Sequence, residues 1–146
     1  MPPEDEADPL TAAQYAAIAA FRFQLRRFLA FSEAAAGDAG LPPQQHQALL
    51  AIAGHAGPTP PSVGALAEQL LIAPHTAAEL AARMAEAGLV TKTPSSADRR
   101  RIELSLTDRA QDLLAQLTRA HLAELQTLEP ALIKALNRLK RERPMP

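Results

Sequence analysis

The first third of the chain repeats apolar residues at helical spacing. The segment "LTAAQYAAIAAFRFQLRRFLAFSEAAAG" opens with Thr11 and Gln14 at the spacing of a capping box, and Gly37 supplies an end signal. The segment "LPPQQHQALLAIAGHAG" then begins with two prolines, which a first helical turn tolerates. The pattern therefore predicts a first helix that ends near Ala36 and a second that ends near Gly57.

Two shorter amphipathic segments follow the extended link "PTPP". In "SVGALAEQLLI", Ser62 has an N-cap side chain, and apolar residues recur at i, i+3, i+4 and i+7. The segment "PHTAAELAARMAEAG" begins at Pro74 and ends at Gly88. The spacing predicts a third helix and, after only a few residues, a fourth helix over 74–87.

The apolar period changes from helical to alternating after the fourth predicted helix. "LVTKT" and "RIELSL" predict two short strands, and "PSSAD" supplies turn residues between them. Thr107 then caps a long helix, and we expect Pro130 to start a separate last helix, "PALIKALNRLKRER". The predicted order is helix, helix, helix-turn-helix, hairpin, long helix and helix.

A helix-turn-helix followed at once by a β-hairpin is the layout of a winged helix-turn-helix. The second helix of such a pair can enter the major groove of DNA, while the hairpin reaches an adjacent minor groove. One side of the fourth predicted helix is an apolar stripe for packing. The opposite side carries the candidates for reading base edges, which are His75, Thr76, Glu79 and Arg83. Alternatively, Glu79 and Arg83 form an ion pair on a solvated face.

The predicted hairpin carries the run "DRRR" at its tip, where Asp98 precedes Arg99, Arg100 and Arg101. An arginine there can insert its guanidinium into a narrow minor groove while a neighbour binds phosphate. We expect Asp98 to orient these arginines through bidentate hydrogen bonds. Three consecutive arginines can also form a solvated charge cluster, but the position after a helix-turn-helix favours contact with DNA.

Composition narrows the class of protein. Of 146 residues, 47% are apolar and only 3% aromatic, which predicts a mainly α fold with a core of Leu and Ala. There is no Cys, so thiolate metal sites and cysteine redox chemistry are excluded, and the four histidines do not form a convincing metal site. No cofactor is expected. The acidic start and the lack of a long apolar run predict an unprocessed cytoplasmic protein with no membrane partner.

The segment "GLVTKTPSSADRRRIELSLTD" resembles the wing signature of the MarR (multiple antibiotic resistance regulator) family of winged-helix transcription factors. The residues at the family's spacing are Gly88, Leu89, Val90, Lys92, Asp98, Arg99, Arg100, Leu106 and Thr107. The resemblance covers nearly the whole chain. It implies a homodimer, usually a repressor, which binds a pseudo-palindromic operator and is often released by a small aromatic or phenolic ligand. It adds Lys92 to the DNA-binding candidates and makes Arg100 the minor-groove residue.

This sequence departs from the family pattern at two places. Most members follow Leu-Thr with two residues and a glycine, whereas this chain has Asp108, Arg109 and Ala110. The turn "IAPHT" before the fourth helix offers no basic side chain. With a net charge of -1, any binding to DNA must therefore rest on local charge, mainly in the hairpin.

The terminal helices predict a dimer interface because leucines line one side of them. These leucines are Leu114, Leu117, Leu125, Leu128, Leu132, Leu136 and Leu139. All five aromatic residues lie in the first helix, among arginines, which suggests a pocket for an acidic or aromatic ligand. The candidate lining residues are Phe21, Arg22, Arg26, Phe28, His46 and His121. Alternatively, the aromatic residues only pack, and His121 is a hydrogen-bonded core residue.

We thus expect a disordered lead over residues 1–9 and a single mainly α domain over 10–146. Its parts would be a dimerisation and ligand region over 10–57, a winged helix-turn-helix lobe over 58–107 and C-terminal dimerisation helices over 108–146. The predicted function is a homodimeric DNA-binding transcriptional regulator. The alternative is a winged-helix module that binds protein and has lost DNA binding. An enzyme is not expected, because the sequence has no recognisable nucleophile-base pair, phosphate-binding glycine loop or carboxylate pair.

Overall fold

A computed structural model describes residues 8–143 as five helices and one two-stranded antiparallel sheet. The predicted lead falls largely on residues 1–7, which lie outside the described residues. In chain order, the elements are α1 (Ala12–Asp38), α2 (Pro43–Ala53), α3 (Val63–Leu70), α4 (Pro74–Glu86), β1 (Val90–Pro94), β2 (Ile102–Leu106) and α5 (Asp108–Arg141). The fold is a mainly α winged helix-turn-helix, as the sequence predicted.

The helix starts agree with the predicted caps. The Thr11 N–H donates to Gln14 Oε1 at 2.8 Å, and the Gln14 N–H donates to Thr11 Oγ1 at 3.1 Å, which completes the capping box. Ser62 Oγ accepts the N–H of Ala65 at 3.0 Å, and Thr107 Oγ1 accepts the N–H of Ala110 at 3.2 Å. These side chains satisfy backbone donors that a helix start would otherwise leave unpaired.

The prediction of a separate last helix from Pro130 is wrong. Residues Asp108–Arg141 form one helix with Pro130 inside it. Proline lacks the N–H that would donate to Gln126, and such a residue in a helix interior costs about 3 kcal/mol. Leu128 and Ala135, on either side of Pro130, are both buried. Packing of the helix on both sides of the proline therefore outweighs the local preference to start anew.

The described chain divides into two compact units. The terminal-helix unit comprises the described parts of Met1–Phe31 and Leu122–Pro146, and the winged-helix unit comprises Ser32–His121. The sequence analysis predicted that α2 and the first helix together form a dimerisation and ligand region over 10–57. In the structure, α2 belongs to the winged-helix unit.

The core of the winged-helix unit is built from aliphatic residues, as the composition predicted. Its fully buried large side chains are Leu49, Leu66, Met84 and Leu104, which come from α2, α3, α4 and β2. Leu114 and Leu117 of α5 belong to the same cluster. The prediction that these two leucines lie in a dimer interface is therefore wrong, because their side chains are already buried within the chain.

The sheet fixes the position of the hairpin on this core. β1 pairs with β2 from Val90 opposite Leu106 to Pro94 opposite Ile102. The other edge of β2 is covered by the proline-rich link, because the Leu104 N–H donates to the Pro61 carbonyl at 2.8 Å. The sequence predicted that the link is extended but not that it pairs with β2. Within residues 8–143, no helix is both long and apolar enough to cross a membrane.

Candidate nucleic-acid interface

Helix α4 has the two-sided character that the sequence predicted. Its buried side chains are Ala77, Leu80, Ala81 and Met84. On the other side, His75, Glu79 and Arg83 are exposed, while Thr76 lies at the border and is half-buried. The buried stripe holds the helix against the core, so the remaining side can be presented to a partner.

The exposed side of α4 carries little net charge. Glu79 and Arg83 form no salt bridge among the described residues, so the alternative of an ion pair between them is not seen in the structure. Ala78 and Arg83 flank Glu79 on this side, and Glu86 continues it toward the end of the helix. Ala78 is an exposed apolar residue on this side, and it is not among the predicted candidates because those were all polar. This side can offer hydrogen bonds and apolar contact to base edges, but little general attraction to phosphate.

The loop between the strands is fixed by its own hydrogen bonds. We call β1, β2 and the connecting residues 95–101 the wing. Ser95 is buried, its N–H donates to the Arg101 carbonyl at 2.8 Å, and its Oγ accepts the N–H of Ala97 at 3.2 Å. The Asp98 carbonyl accepts the N–H of Arg101 at 2.9 Å. The tip is therefore a defined turn, which reduces the entropy lost when it meets a partner.

Asp98 contacts Arg100, and the Arg100 side chain remains exposed to solvent. Asp98 Oδ1 accepts the Arg100 backbone N–H at 3.0 Å and lies 3.5 Å from Arg100 Nε. The Arg100 side chain is 94% exposed. The expected bidentate pairing is wrong, since only one guanidinium nitrogen is engaged. An ion pair this exposed adds little stability, so its main effect is on where the guanidinium points.

The positive charge of the winged-helix lobe is concentrated in the wing. Residues 62–104 contain five basic and five acidic residues, and three of the basic ones are Arg99, Arg100 and Arg101 at the tip. All three are exposed, and Lys92 is exposed on β1. The structure thus brings the predicted wing residues onto one hairpin, next in sequence to α4.

Hydrogen bonds that the sequence did not predict connect the end of α4 to the start of α5. Thr107 Oγ1 donates to the Gly88 carbonyl at 2.7 Å, and the Thr107 N–H donates to the Leu89 carbonyl at 3.0 Å. Arg109 Nη1 donates to the Ala87 carbonyl at 2.6 Å. Gly88 has a φ of +74°, which glycine adopts without strain. Arg109, noted as a departure from the family pattern, therefore satisfies the carboxyl end of α4.

His46 and His121 meet in the winged-helix unit. Both are buried, and their ring centroids lie 4.9 Å apart. His121 Nδ1 lies 2.6 Å from the Leu117 carbonyl, so it carries the proton and donates, and His121 Nε2 lies 2.8 Å from Ser32 Oγ. This is the hydrogen-bonded core histidine of the alternative interpretation. Burial lowers the pKa of His46, and the neighbouring His121 lowers it further.

The six candidate ligand residues do not gather in one unit. His46 and His121 are in the winged-helix unit, whereas the other four lie on the part of α1 in the terminal-helix unit. There, Phe21 and Phe28 are half-buried, and Arg22 and Arg26 are exposed. The winged-helix unit has a separate cleft of 340 Å³ beside the end of α2, which none of the six lines. No group of three or more potential metal ligands occurs among the described residues.

Residues 39–101 match the model of the MarR family. The fold is similar to that of AbsC, a MarR family transcriptional regulator from Streptomyces coelicolor, with a TM-score of 0.71, 19% identity and coverage of 82% of this chain and 80% of that chain. The YusO protein from Bacillus subtilis is similar with a TM-score of 0.61, 22% identity and coverage of 86% and 96%.

A DNA-bound structure has the same fold. A mutant of MepR from S. aureus bound to an oligodeoxyribonucleotide is similar with a TM-score of 0.63 and 18% identity, and 84% of each chain is covered. No curated protein sequence matches this chain significantly.

Proposed function

Because residues 39–101 match the MarR family model and the fold is similar to that of AbsC, we propose that this chain is a MarR family protein, a homodimeric transcriptional regulator acting on DNA in the cytoplasm. It binds a pseudo-palindromic operator and acts as a repressor. Helix α4 enters the major groove, and the wing arginines enter the adjacent minor groove. The observation that carries the proposal is Arg100, which is 94% exposed at the tip of a defined turn and held by Asp98.

The wing has the chemistry that a minor groove requires. A guanidinium is planar, always charged and attracted by the negative potential of a narrow minor groove. Arg99 and Arg101 flank Arg100, and all three are exposed, so a neighbour can bind phosphate while Arg100 enters the groove. A wing that only supported the fold would not need three exposed arginines at its tip.

Helix α4 supplies the groups that read bases. His75 and Thr76 lie in its first turn, and Glu79 and Arg83 lie one and two turns further on. Glutamate can accept from a cytosine amino group, and arginine can donate to guanine. Because this side of the helix is close to neutral, it contributes selectivity, and the wing contributes most of the attraction to the DNA backbone.

The terminal-helix unit supports the dimer part of the proposal. In the described part of this unit, the large apolar residues that remain at least 40% exposed in the single chain are Leu10, Tyr15, Ile18, Phe23, Leu25, Leu29, Leu122, Ile133 and Leu136. Ile18, Leu25 and Leu29 share one face of α1 because of their spacing. An apolar surface of this kind marks an interaction site in a water-exposed protein, and a second copy is the commonest partner.

Release by an effector is the part of the proposal that rests on the family resemblance. We propose that this effector is a small aromatic or acidic molecule, and the candidate residues on α1 are the first place to test for its binding. A thermal shift assay with salicylate, an acidic phenol, measures whether such a molecule stabilises the protein. Loss of the shift in the Arg26→Ala variant would assign the site, and the Arg119→Ala variant is the matched control.

The experiment that tests the proposed function is selection of bound duplexes from a random DNA library by the full-length protein. The proposal predicts enrichment of a two-fold sequence with half-site centres about 10 base pairs apart. Enrichment of a single asymmetric half-site would contradict the dimeric operator. If no sequence were enriched and binding vanished at physiological salt, the protein-interaction module would be the better interpretation.

A further inference from the structure

Leu71, in the turn between α3 and α4, has a conformation and an exposure that packing of the fold does not explain. Its φ is 56° and its ψ is 42°, in the left-handed region. Among the described residues, it is the only one other than glycine with a positive φ. Its side chain is 93% exposed, more than that of any other large apolar residue in the described chain.

The backbone around Leu71 is that of a helix end usually closed by glycine. The Leu71 N–H donates to the Glu68 carbonyl at 3.3 Å, and the Ile72 N–H donates to the Ala67 carbonyl at 3.0 Å. A left-handed backbone costs free energy in a residue with a Cβ atom, so leucine is a costly choice here. Its neighbours Leu70 and Ile72 pack against the core, whereas Leu71 does not. Strained residues of this kind are concentrated at functional sites.

The position of Leu71 relates it to the proposed interface. It lies three residues before Pro74, the first residue of α4, and Ala73 and Pro74 are exposed beside it in the chain. The run from Gln69 to Ala78 contains no acidic residue, lysine or arginine. The partner of Leu71 is therefore recognised by apolar contact rather than by charge. In the major groove of DNA, the apolar group at a base edge is the 5-methyl group of thymine.

We infer that Leu71 packs against a thymine 5-methyl group in the major groove and determines specificity at that base pair. The inference rests on the proposed function, in which α4 enters the same groove. In addition to the proposed function, an apolar side chain outside the recognition helix contributes to sequence selectivity. The exposure of Leu71 in the unbound protein then has a use, since burial of apolar surface on binding favours the complex.

The test compares two proteins on two duplexes. The first protein is the wild type and the second is the Leu71→Gly variant, which keeps the left-handed turn and loses the side chain. One duplex is the selected operator, and the other carries deoxyuridine in place of one thymine, tested position by position. Wild-type affinity should fall about fourfold at one position in each half-site, the effect of one buried methyl group. Leu71→Gly should bind both duplexes equally.

Two controls separate this inference from its alternatives. Thermal unfolding should show that Leu71→Gly is at least as stable as the wild type, and Leu50→Ala, which truncates an exposed leucine on α2, should retain the response to uracil. If no thymine is sensitive, or if Leu71→Gly keeps the wild-type sensitivity, the inference is wrong while the proposed function stands. If the wild type binds no duplex, the proposed function fails as well.

Discussion

One carboxylate oxygen of Asp98 serves two groups of Arg100, accepting its backbone N–H at 3.0 Å and facing its Nε at 3.5 Å. The first contact closes the turn, and the second directs the exposed guanidinium. Asp98 is itself negative and would repel phosphate, so in the proposed complex with DNA its orienting effect must outweigh that repulsion.

Replacement of Asp98 tests this orienting role. Asp98→Ala should reduce the preference for the selected operator over a scrambled duplex by about 3- to 10-fold, roughly 1 kcal/mol, because the turn and the guanidinium lose their shared anchor. Binding to the scrambled duplex should be unchanged or stronger, since a negative charge is removed. Asp98→Asn keeps an acceptor for the backbone N–H and should lose less selectivity. Anisotropy titrations measure both; equal losses on the two duplexes would argue against orientation.

The proposed dimer can be tested on the exposed apolar side of α5. Leu136→Glu should weaken self-association by more than about tenfold, because a carboxylate would have to be buried without a partner. Sedimentation equilibrium should show the wild type near twice its chain mass of 15.6 kDa and the variant shifted toward the single chain. The Lys134→Glu variant of the same helix is the control. A wild type with the mass of one chain at all concentrations would contradict the dimer.

The buried histidine pair predicts a specific dependence of stability on pH. Burial first, and then the neighbouring His121, lower the pKa of His46 below its ordinary value of 6.5. Between the lowered pKa of His46 in the folded chain and its ordinary pKa in the unfolded chain, the unfolded chain binds a proton that the folded chain does not. The contribution of neutral His46 to stability is therefore present above about pH 6.5 and is lost as the pH falls. His46→Gln should show a smaller loss of stability between about pH 7.5 and pH 5 in urea titrations.

The control for that measurement is His55, which is exposed in the same unit. His55→Gln should keep the wild-type dependence of unfolding free energy on pH. An unchanged dependence in His46→Gln would show that the histidine pair does not contribute to it.

Arg109 should stabilise the junction between α4 and α5. Arg109→Ala removes the donor to the Ala87 carbonyl and should lower the free energy of unfolding by about 1 kcal/mol. Arg119→Ala, which removes another exposed arginine of α5, should have little effect. Urea unfolding followed by circular dichroism gives both values, and equal stability of the two variants would show that the contact at Ala87 contributes nothing.

The sequence predicts local structure well wherever the signal is carried by adjacent residues. Thr11 with Gln14, Ser62 and Thr107 each form the cap that their spacing indicated. The alternating pattern of the strands also places the hairpin correctly, with β1 and β2 within a residue of the predicted segments. Capping and strand periodicity depend on neighbours within a few positions, so a single sequence contains them.

The failures arise where distant packing decides. Pro130 is a local break signal, but buried residues on both sides keep α5 continuous. The leucine stripe containing Leu114 predicts a dimer interface, but part of it packs within the chain, because periodicity shows that a face is apolar without showing what covers it. Leu71 gave no signal at all, since nothing in its residue type favours the left-handed backbone that it adopts at the end of α3.

The proposal that the wing carries DNA binding is tested by anisotropy titration of Arg100→Ala on the selected operator at several salt concentrations. Arg100→Ala should lose about 1 to 3 kcal/mol of binding free energy and show a salt slope smaller by about one, with the proposed dimer intact, and Arg119→Ala should bind like the wild type. Wild-type affinity and salt slope in Arg100→Ala would contradict the proposal and remove the wing from the mechanism.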